Sequence, residues 1–231
     1  MRAGFAEIDI SPVSFPVRTY MGKVDRVMDP IFARAAVFED GEGGVFAFVS
    51  LDVVIVEAAY ARRIKELAAK SIPVSRIMVC ATHNHACPAI VDRPSCLKEP
   101  DYIELMVAKA AEALVLAAGR LGEVETASGS GLEARVSFNR RFVKRDGSAV
   151  THPGGKDLED ILCNEGVVDP ELGVLAVRDA RGGGMAGALV SRPISSVIEI
   201  GKITFFTWPL DPGGRLPPFA PRLRAWSPGT S

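Results

Sequence analysis

Val45-Phe46-Ala47-Phe48-Val49-Ser50-Leu51-Asp52 is apolar at nearly every position and closes on a polar residue. A short apolar run of this kind reads as a strand near the centre of a sheet, covered on both faces. The text then changes period. From Val54 to Lys70, Ala58, Ala61, Ile64, Leu67 and Ala68 recur at helical spacing, with Arg62, Arg63, Lys65 and Glu66 largely on the other side. Ser71-Ile72-Pro73 ends that helix, and Val74 to Cys80 is apolar again, a second strand. Strand, helix and strand make one β-α-β unit, with parallel strands and a right-handed crossover expected. The unit sets the fold class as α/β: a mixed β-sheet with helices packed on it, followed by antiparallel strands.

Upstream, Phe5 to Ile10 alternates as a half-buried strand does, and Ser11-Pro12 stops it. Residues 11 to 30 carry three prolines and a glycine and read as a long loop, with Asp29 forming a turn before Pro30. Ile31 to Glu39 is the next strand. Asp40-Gly41 opens a hairpin turn, because such turns need positive φ. Downstream, residues 86 to 98 are irregular. Pro100-Asp101 opens a helix to Ala118, with proline in the first turn and Gly119 as the residue that ends it. Val124 to Phe142 reads as one or two strands broken at Gly129 and Gly131. Residues 143 to 166 read as a polar, glycine-containing loop. Val174 to Arg178 and Met185 to Val190 form a hairpin around Arg181-Gly182-Gly183-Gly184.

The chemistry concentrates where the β-α-β unit ends, at Cys80-Ala81-Thr82-His83-Asn84-His85-Ala86-Cys87-Pro88. This stretch holds two of the three histidines. Side chains at i and i+2 of an extended chain share a face. His83 and His85 leaving a strand therefore aim both imidazoles into one space, and neutral imidazole is a common metal ligand. In β-α-β units ligands sit at the carboxyl ends of the strands, where these histidines and Asp52 fall. Asp52 is a site candidate; its other reading is a helix N-cap. Asn139, Arg140 and Arg141 form a second polar cluster at a strand end, and His152 reads as a solvated loop residue.

The net charge of −1, from 27 basic and 28 acidic residues, argues against a nucleic-acid or anionic-membrane partner held by bulk charge. Four cysteines at irregular spacing form neither a disulfide framework nor a C-x-x-C pair; they read as ordinary small residues, with Cys87 and Cys96 near the histidines as metal ligands the alternative. The N-terminus lacks a charged region followed by an apolar one, and no apolar run is long enough to span a bilayer. A cytoplasmic location is expected.

Six segments, in order, resemble the neutral/alkaline (non-lysosomal) ceramidase family. Ala3-Gly4-Phe5-Ala6-Glu7-Ile8-Asp9-Ile10-Ser11-Pro12 is similar to its "AG-x-x-x-DITP" opening. Asp29-Pro30-Ile31-Phe32-Ala33-Arg34-Ala35 resembles "DPLYARA", and Ser50-Leu51-Asp52 resembles "SLD". Ala81 to Pro88 is similar to "ATHTHSGP". Ser137-Phe138-Asn139-Arg140-Arg141 resembles "S-x-NRR", and Val168 to Leu175 resembles "VDPE-x-GVL". The resemblance covers roughly residues 3 to 190. It implies a zinc-dependent hydrolase that cleaves an amide bond with a metal-activated water. It further implies His83 as the metal ligand and His85 as a catalytic or substrate-side neighbour. Arg140 would hold an oxyanion or substrate carboxyl, with Asp52 also in the catalytic set and Asn139 and Arg141 at the substrate. The implied partner is a small-molecule or lipid-like amide substrate.

The chain departs from the family's pattern near residue 191. A second histidine ligand is expected in a "CHP"-like segment, where Ser191-Arg192-Pro193-Ile194-Ser195-Ser196 stands. The family's Glu and Tyr ligands come later than this chain extends. Residues 211 to 231 hold five prolines and one acid. The expected organisation is therefore an incomplete catalytic-type domain over 1–190 and an atypical Pro/Gly/Arg-rich tail over 191–231, as a truncation or frameshift would give. A non-catalytic remnant of such an enzyme is the alternative. Unrelated metallohydrolases rank last: Cys87 and Pro88 stand where an H-x-H-x-D-H motif needs Asp and His, and the chain is short for a barrel amidohydrolase.

Overall fold

In a computed structural model, residues 1–69, 76–94, 96–134, 139–155, 157–182 and 184–191 are described. The elements run β1 (Arg2–Asp9), β2 (Val17–Thr19), β3 (Gly22–Val24), β4 (Phe32–Glu39), β5 (Val45–Leu51), α1 (Ala58–Ala69) and β6 (Arg76–Ala81). They continue with α2 (Pro100–Gly119), β7 (Gly122–Leu132), β8 (Arg141–Lys144), β9 (Ala149–Thr151), α3 (Asp157–Asp160), β10 (Ile161–Asn164), β11 (Glu171–Asp179) and β12 (Met185–Ser191). A seven-stranded sheet has the order β12-β11-β7-β1-β4-β5-β6, with separate three-stranded (β10-β8-β9) and two-stranded (β2-β3) sheets. β5 and β6 pair in parallel across α1, as the β-α-β reading requires. The other pairings of the large sheet are antiparallel. The fold is mixed α/β. No helix among the described residues is long and apolar enough to cross a membrane.

Register explains the core. Three rows of small and branched side chains cross the sheet on one face: Ile8-Ala33-Leu51-Ala81, Ala6-Ala35-Val49-Val79, and Gly4-Val37-Ala47-Ile77. Onto them α2 lays Ile103, Met106, Val107, Ala110, Ala113, Leu114 and Ala117, which share one helix face. Alanine on both surfaces lets helix and sheet approach closely. At Gly4 the approach is closest: a Cβ there would stand 2.0 Å from the Ala117 carbonyl oxygen. α1 packs beside α2, with Arg63 Nη1 donating to Glu104 Oε1 at 2.8 Å.

The opposite face is aromatic. Phe5 meets Phe38 edge-on at 5.9 Å, and Phe46 meets Phe48 at 4.4 Å. Phe5 is covered by β12, where a Cβ on Gly187 would fall 2.5 Å from its ring. Phe46 and Phe48 are only half-buried and Met78 is 42% exposed. β5 therefore lies one strand from the sheet edge and is covered by helix on one face alone, not on both as its composition suggests.

Other boundaries also move, each for a tertiary reason. α1 begins at Ala58 rather than Val54, because the carbonyls of residues 51 to 54 are bonded to the loop after β6. Its buried stripe is Tyr60, Ile64 and Ala68, while Ala58 and Leu67 are exposed. α2 continues through Gly119 and is capped at Arg120, whose backbone N–H reaches Ala117 O at 3.1 Å. β7 runs unbroken through Gly129 and Gly131, held in register by β11 from Glu171↔Leu132 to Asp179↔Val124. The segment read as a loop at 143 to 166 contains β9, α3, β10 and part of β8. Its hairpin turn is closed by Asp146 Oδ1, which accepts from Ser148 N at 2.9 Å. Residues 192–231, and with them nearly all of the expected tail, lie outside the described residues, as do Val74, Ser137 and Phe138.

Candidate active site

Leu51 ends β5, Ala81 ends β6, and both strands point the same way, so their loops leave one edge of the sheet together. The chain after β5 bends through Asp52, Val53 and Val54, with Val53 N bonded to Leu51 O at 2.8 Å, and offers successive carbonyls to the chain after β6. Thr82 N donates to Leu51 O at 3.0 Å, and Asn84 N donates to Val53 O at 3.2 Å. Asn84 Nδ2 reaches Asp52 O at 3.4 Å, and His83 Nδ1 lies 2.6 Å from Val54 O. Asn84 Oδ1 then accepts from Ala86 N at 2.9 Å. His83 itself has φ +65°, an uncommon conformation for a residue with a side chain, held by this ladder.

The ladder decides the chemistry of His83. With the Val54 carbonyl as its neighbour, Nδ1 carries the proton and Nε2 is left as a bare lone pair. That lone pair faces His85 at an Nε2–Nε2 distance of 2.9 Å, with the rings inclined at 67°; two bare lone pairs would repel at that distance, so His85 Nε2 carries its proton and donates to His83 Nε2. Burial, His83 and the Arg93 cation push the His85 imidazole below its ordinary value, which favours its neutral form. The arrangement is two convergent imidazole nitrogens, one of them oriented by a backbone carbonyl in the manner of a metal-site histidine. Two ligands on one tetrahedral cation sit about 3.3 Å apart, so a small opening of the pair, with the His85 proton moved from Nε2 to Nδ1, would admit one. Among the described residues no group of three or more His, Cys, Asp or Glu is gathered for a metal. The nitrogens thus fit as part of a donor set and do not close one.

The remaining candidates are placed differently. Asp52 Oδ2 accepts from Phe32 N at 3.0 Å and from Arg34 Nη1 at 2.8 Å. Arg34 Nε also reaches Glu7 Oε2 at 2.6 Å, which links β1, β4 and the end of β5 into one chain of charges. Arg140 is on the segment before β8, its Nη1 2.7 Å from His152 Nε2. Asn139 Oδ1 caps Arg141 N at 2.9 Å, and Arg141 pairs with Glu165. Among the described residues, no hydrogen bond or ion pair joins Asn139, Arg140 or Arg141 to the histidine pair. The structure brings His83, His85 and the Asp52 backbone together and leaves the arginine cluster on the small sheet.

Asn84, Tyr20, Arg18 and Glu99 were not singled out from sequence, and Cys87 has a different role from the metal ligand offered there as an alternative. Asn84 lies between the histidines and makes the loop's internal bonds. Cys87, 1% exposed, accepts from Val54 N at 3.3 Å and donates to Pro88 O at 3.3 Å. Burial pushes its thiol up to about 12, so it stays protonated and is no ready metal ligand. Tyr20 Oη accepts from Ile90 N and Val91 N, each at 3.0 Å, which ties the β2–β3 hairpin, in the stretch read from sequence as a long loop, to the segment after Cys87. Arg18 N and Nε reach Glu99 Oε1 at 2.9 and 2.8 Å on the same side. Asn84 and Cys87 lie inside the motif itself; the only sequence signal for Arg18, Tyr20 and Glu99 was polar or aromatic residues in the stretches flanking it.

No family model matches the chain, and no curated protein matches it in sequence. Among solved structures, it is similar to the neutral ceramidase of Pseudomonas aeruginosa, with a TM-score of 0.59 and 24% identity. That match covers 81% of this chain and 30% of the ceramidase chain. A ceramidase structure described as complexed with C2 matches to the same extent. The chain thus shares a fold with about a third of the length of the ceramidases it matches.

Proposed function

We propose that this chain carries one side of a hydrolase site of the neutral ceramidase type, which acts on a small-molecule or lipid-like amide. The observation that carries the reading is the His83–His85 pair, with Nε2 atoms 2.9 Å apart and His83 Nδ1 fixed at 2.6 Å from Val54 O. The fold likeness to neutral ceramidase and the strand-end position of the pair support it. His83 Nε2 would be the metal nitrogen, with His85 Nε2 as a second donor or a contact to substrate. Bound there, zinc would supply a water acidic enough to attack an amide carbonyl. The Asp52 backbone carbonyl accepts from Asn84 Nδ2 in the histidine loop, while its carboxylate, the catalytic candidate, is held by Phe32 N and Arg34. Arg140 offers a guanidinium for an oxyanion or carboxyl, with Asn139 and Arg141 beside it for substrate.

The absence of a third donor among the described residues favours a second reading, a non-catalytic remnant of such an enzyme. Metal stoichiometry and turnover separate the two. The chain, and its His83→Ala variant, would be loaded with zinc, desalted and analysed for metal, then assayed on a fluorescent N-acyl amide. One retained equivalent, lost in His83→Ala together with hydrolysis, supports the enzyme. No retained metal at any loading rules it out and leaves the remnant.

A further inference from the structure

The peptide between Val53 and Val54 and the one between Val54 and Ile55 are held from opposite sides. The Val54 N–H donates to the Cys87 thiol at 3.3 Å, and the Val54 carbonyl meets His83 Nδ1 at 2.6 Å. Val54 is 2% exposed and Cys87 1%, so neither group has water to fall back on. The thiol is anchored in turn, because it donates to Pro88 O at 3.3 Å and lies one residue from a backbone bridge, Thr19↔Pro88. Cys87 sits two residues past His85 in the same loop, so the thiol closes a ring of contacts: His83, Val54, Cys87 and the loop between.

From this geometry we infer that Cys87 is a positioning residue: its thiol orients Val54, whose carbonyl selects the Nδ1–H tautomer of His83 and so frees Nε2. The inference rests on the reading of His83 as a nitrogen donor. A backbone carbonyl can select a tautomer only if its own direction is fixed. Val54 lies in neither a helix nor a strand. The peptide it shares with Val53 is held at its oxygen by Asn84 N at 3.2 Å and at its nitrogen by the Cys87 thiol, so the thiol completes the pair of bonds that sets the direction of Val54. A smaller apolar residue at 87 would leave the Val54 N–H buried and unpaired, and the segment would turn to find water or another acceptor.

The test reads the tautomer directly, without metal. The full chain labelled with 15N-histidine would be followed by long-range 1H–15N correlation at pH 7.5. His83 is expected as the single Nδ1–H form in the unaltered chain. Cys87→Ala is expected to show both tautomers, and Cys87→Ser, whose hydroxyl can accept from Val54 N and donate to Pro88 O, to restore one. Cobalt affinity is expected to fall at least tenfold in Cys87→Ala. A Cys87→Ala variant that folds and keeps the pure Nδ1–H form overturns the inference. Should that variant not fold, hydrogen exchange of the Val54 amide in the unaltered chain decides: protection supports the thiol bond, and exchange at the rate of an open peptide overturns it. Failure of every variant to bind cobalt would remove the metal reading while the tautomer still decides the role of Cys87.

Discussion

Asp52→Ala removes two bonds at once. Asp52 Oδ2 accepts from Phe32 N at 3.0 Å and from Arg34 Nη1 at 2.8 Å. The side chains of Arg34 and Asp52 are 15% and 19% exposed, so water replaces the lost partners only in part. A hydrogen bond to a charged group contributes about 1.5–3 kcal/mol, and partial exposure and the surviving Glu7 contact of Arg34 argue for a total of about 2 kcal/mol. For a chain of this size that corresponds to a fall in Tm of about 4–8 °C. Asp52→Asn keeps an oxygen that can accept from both donors and loses only the charge, so its cost should stay near about 1 kcal/mol or less. Urea unfolding and thermal melts of the three proteins measure this. An Asp52→Ala variant as stable as the unaltered chain, or an Asp52→Asn variant as unstable as Asp52→Ala, refutes the reasoning. Amide hydrolysis adds a second axis: if Asp52 acts through position alone, Asp52→Asn keeps most activity, and loss of turnover at full stability would assign its carboxylate to the chemistry.

Gly4→Ala should cost about 3 kcal/mol in urea unfolding, since its Cβ would meet the Ala117 carbonyl oxygen at 2.0 Å and a helix cannot give way as a side chain can; a cost below about 1 kcal/mol would contradict the close approach of α2 to β1. Tyr20→Phe should leave the Ile90 and Val91 N–H groups without their acceptor, lowering stability by about 1–3 kcal/mol and raising proteolysis around residues 88 to 98; unchanged proteolysis would show that the loop is held otherwise. Burial pushes the Glu99 carboxyl up, but the Arg18 backbone N–H and guanidinium outweigh it and hold the carboxyl below its usual range. Its contribution is therefore full above the ordinary glutamate value of about 4.3 and is lost as pH falls through the lowered one. Glu99→Gln should show a smaller loss of urea midpoint on acidification than the unaltered chain; identical pH profiles would remove Glu99 from that account.

Local chemistry wrote the β-α-β unit into the sequence. A strand of seven apolar and small residues, a helix at 3.6-residue spacing and a second strand each show their period without neighbours. The position of His83 and His85 follows from where those apolar periods stop, and the two hairpins at Asp40 and at residues 179 to 184 follow from turn residues. What the tertiary structure decided is everything carried by partners distant in sequence. β7 runs through two glycines because β11 supplies its hydrogen bonds. α1 starts late because the carbonyls it would need are already bonded to residues 82 to 84. Asp52 turns its carboxylate to Arg34 and Phe32 rather than standing free, because β4 places both there. The small sheet at 141 to 164 had a signal, Asp146-Gly147 between short apolar pairs, but strands of three or four residues carry too little period to announce themselves. Most of all, the His-x-His spacing suggested, from strand alternation, that two imidazoles share a space; they do meet, but through a turn beyond β6 with His83 at φ +65°. The spacing could not tell which nitrogen each presents. That is set by the direction of one carbonyl, Val54, and by the contacts that hold it.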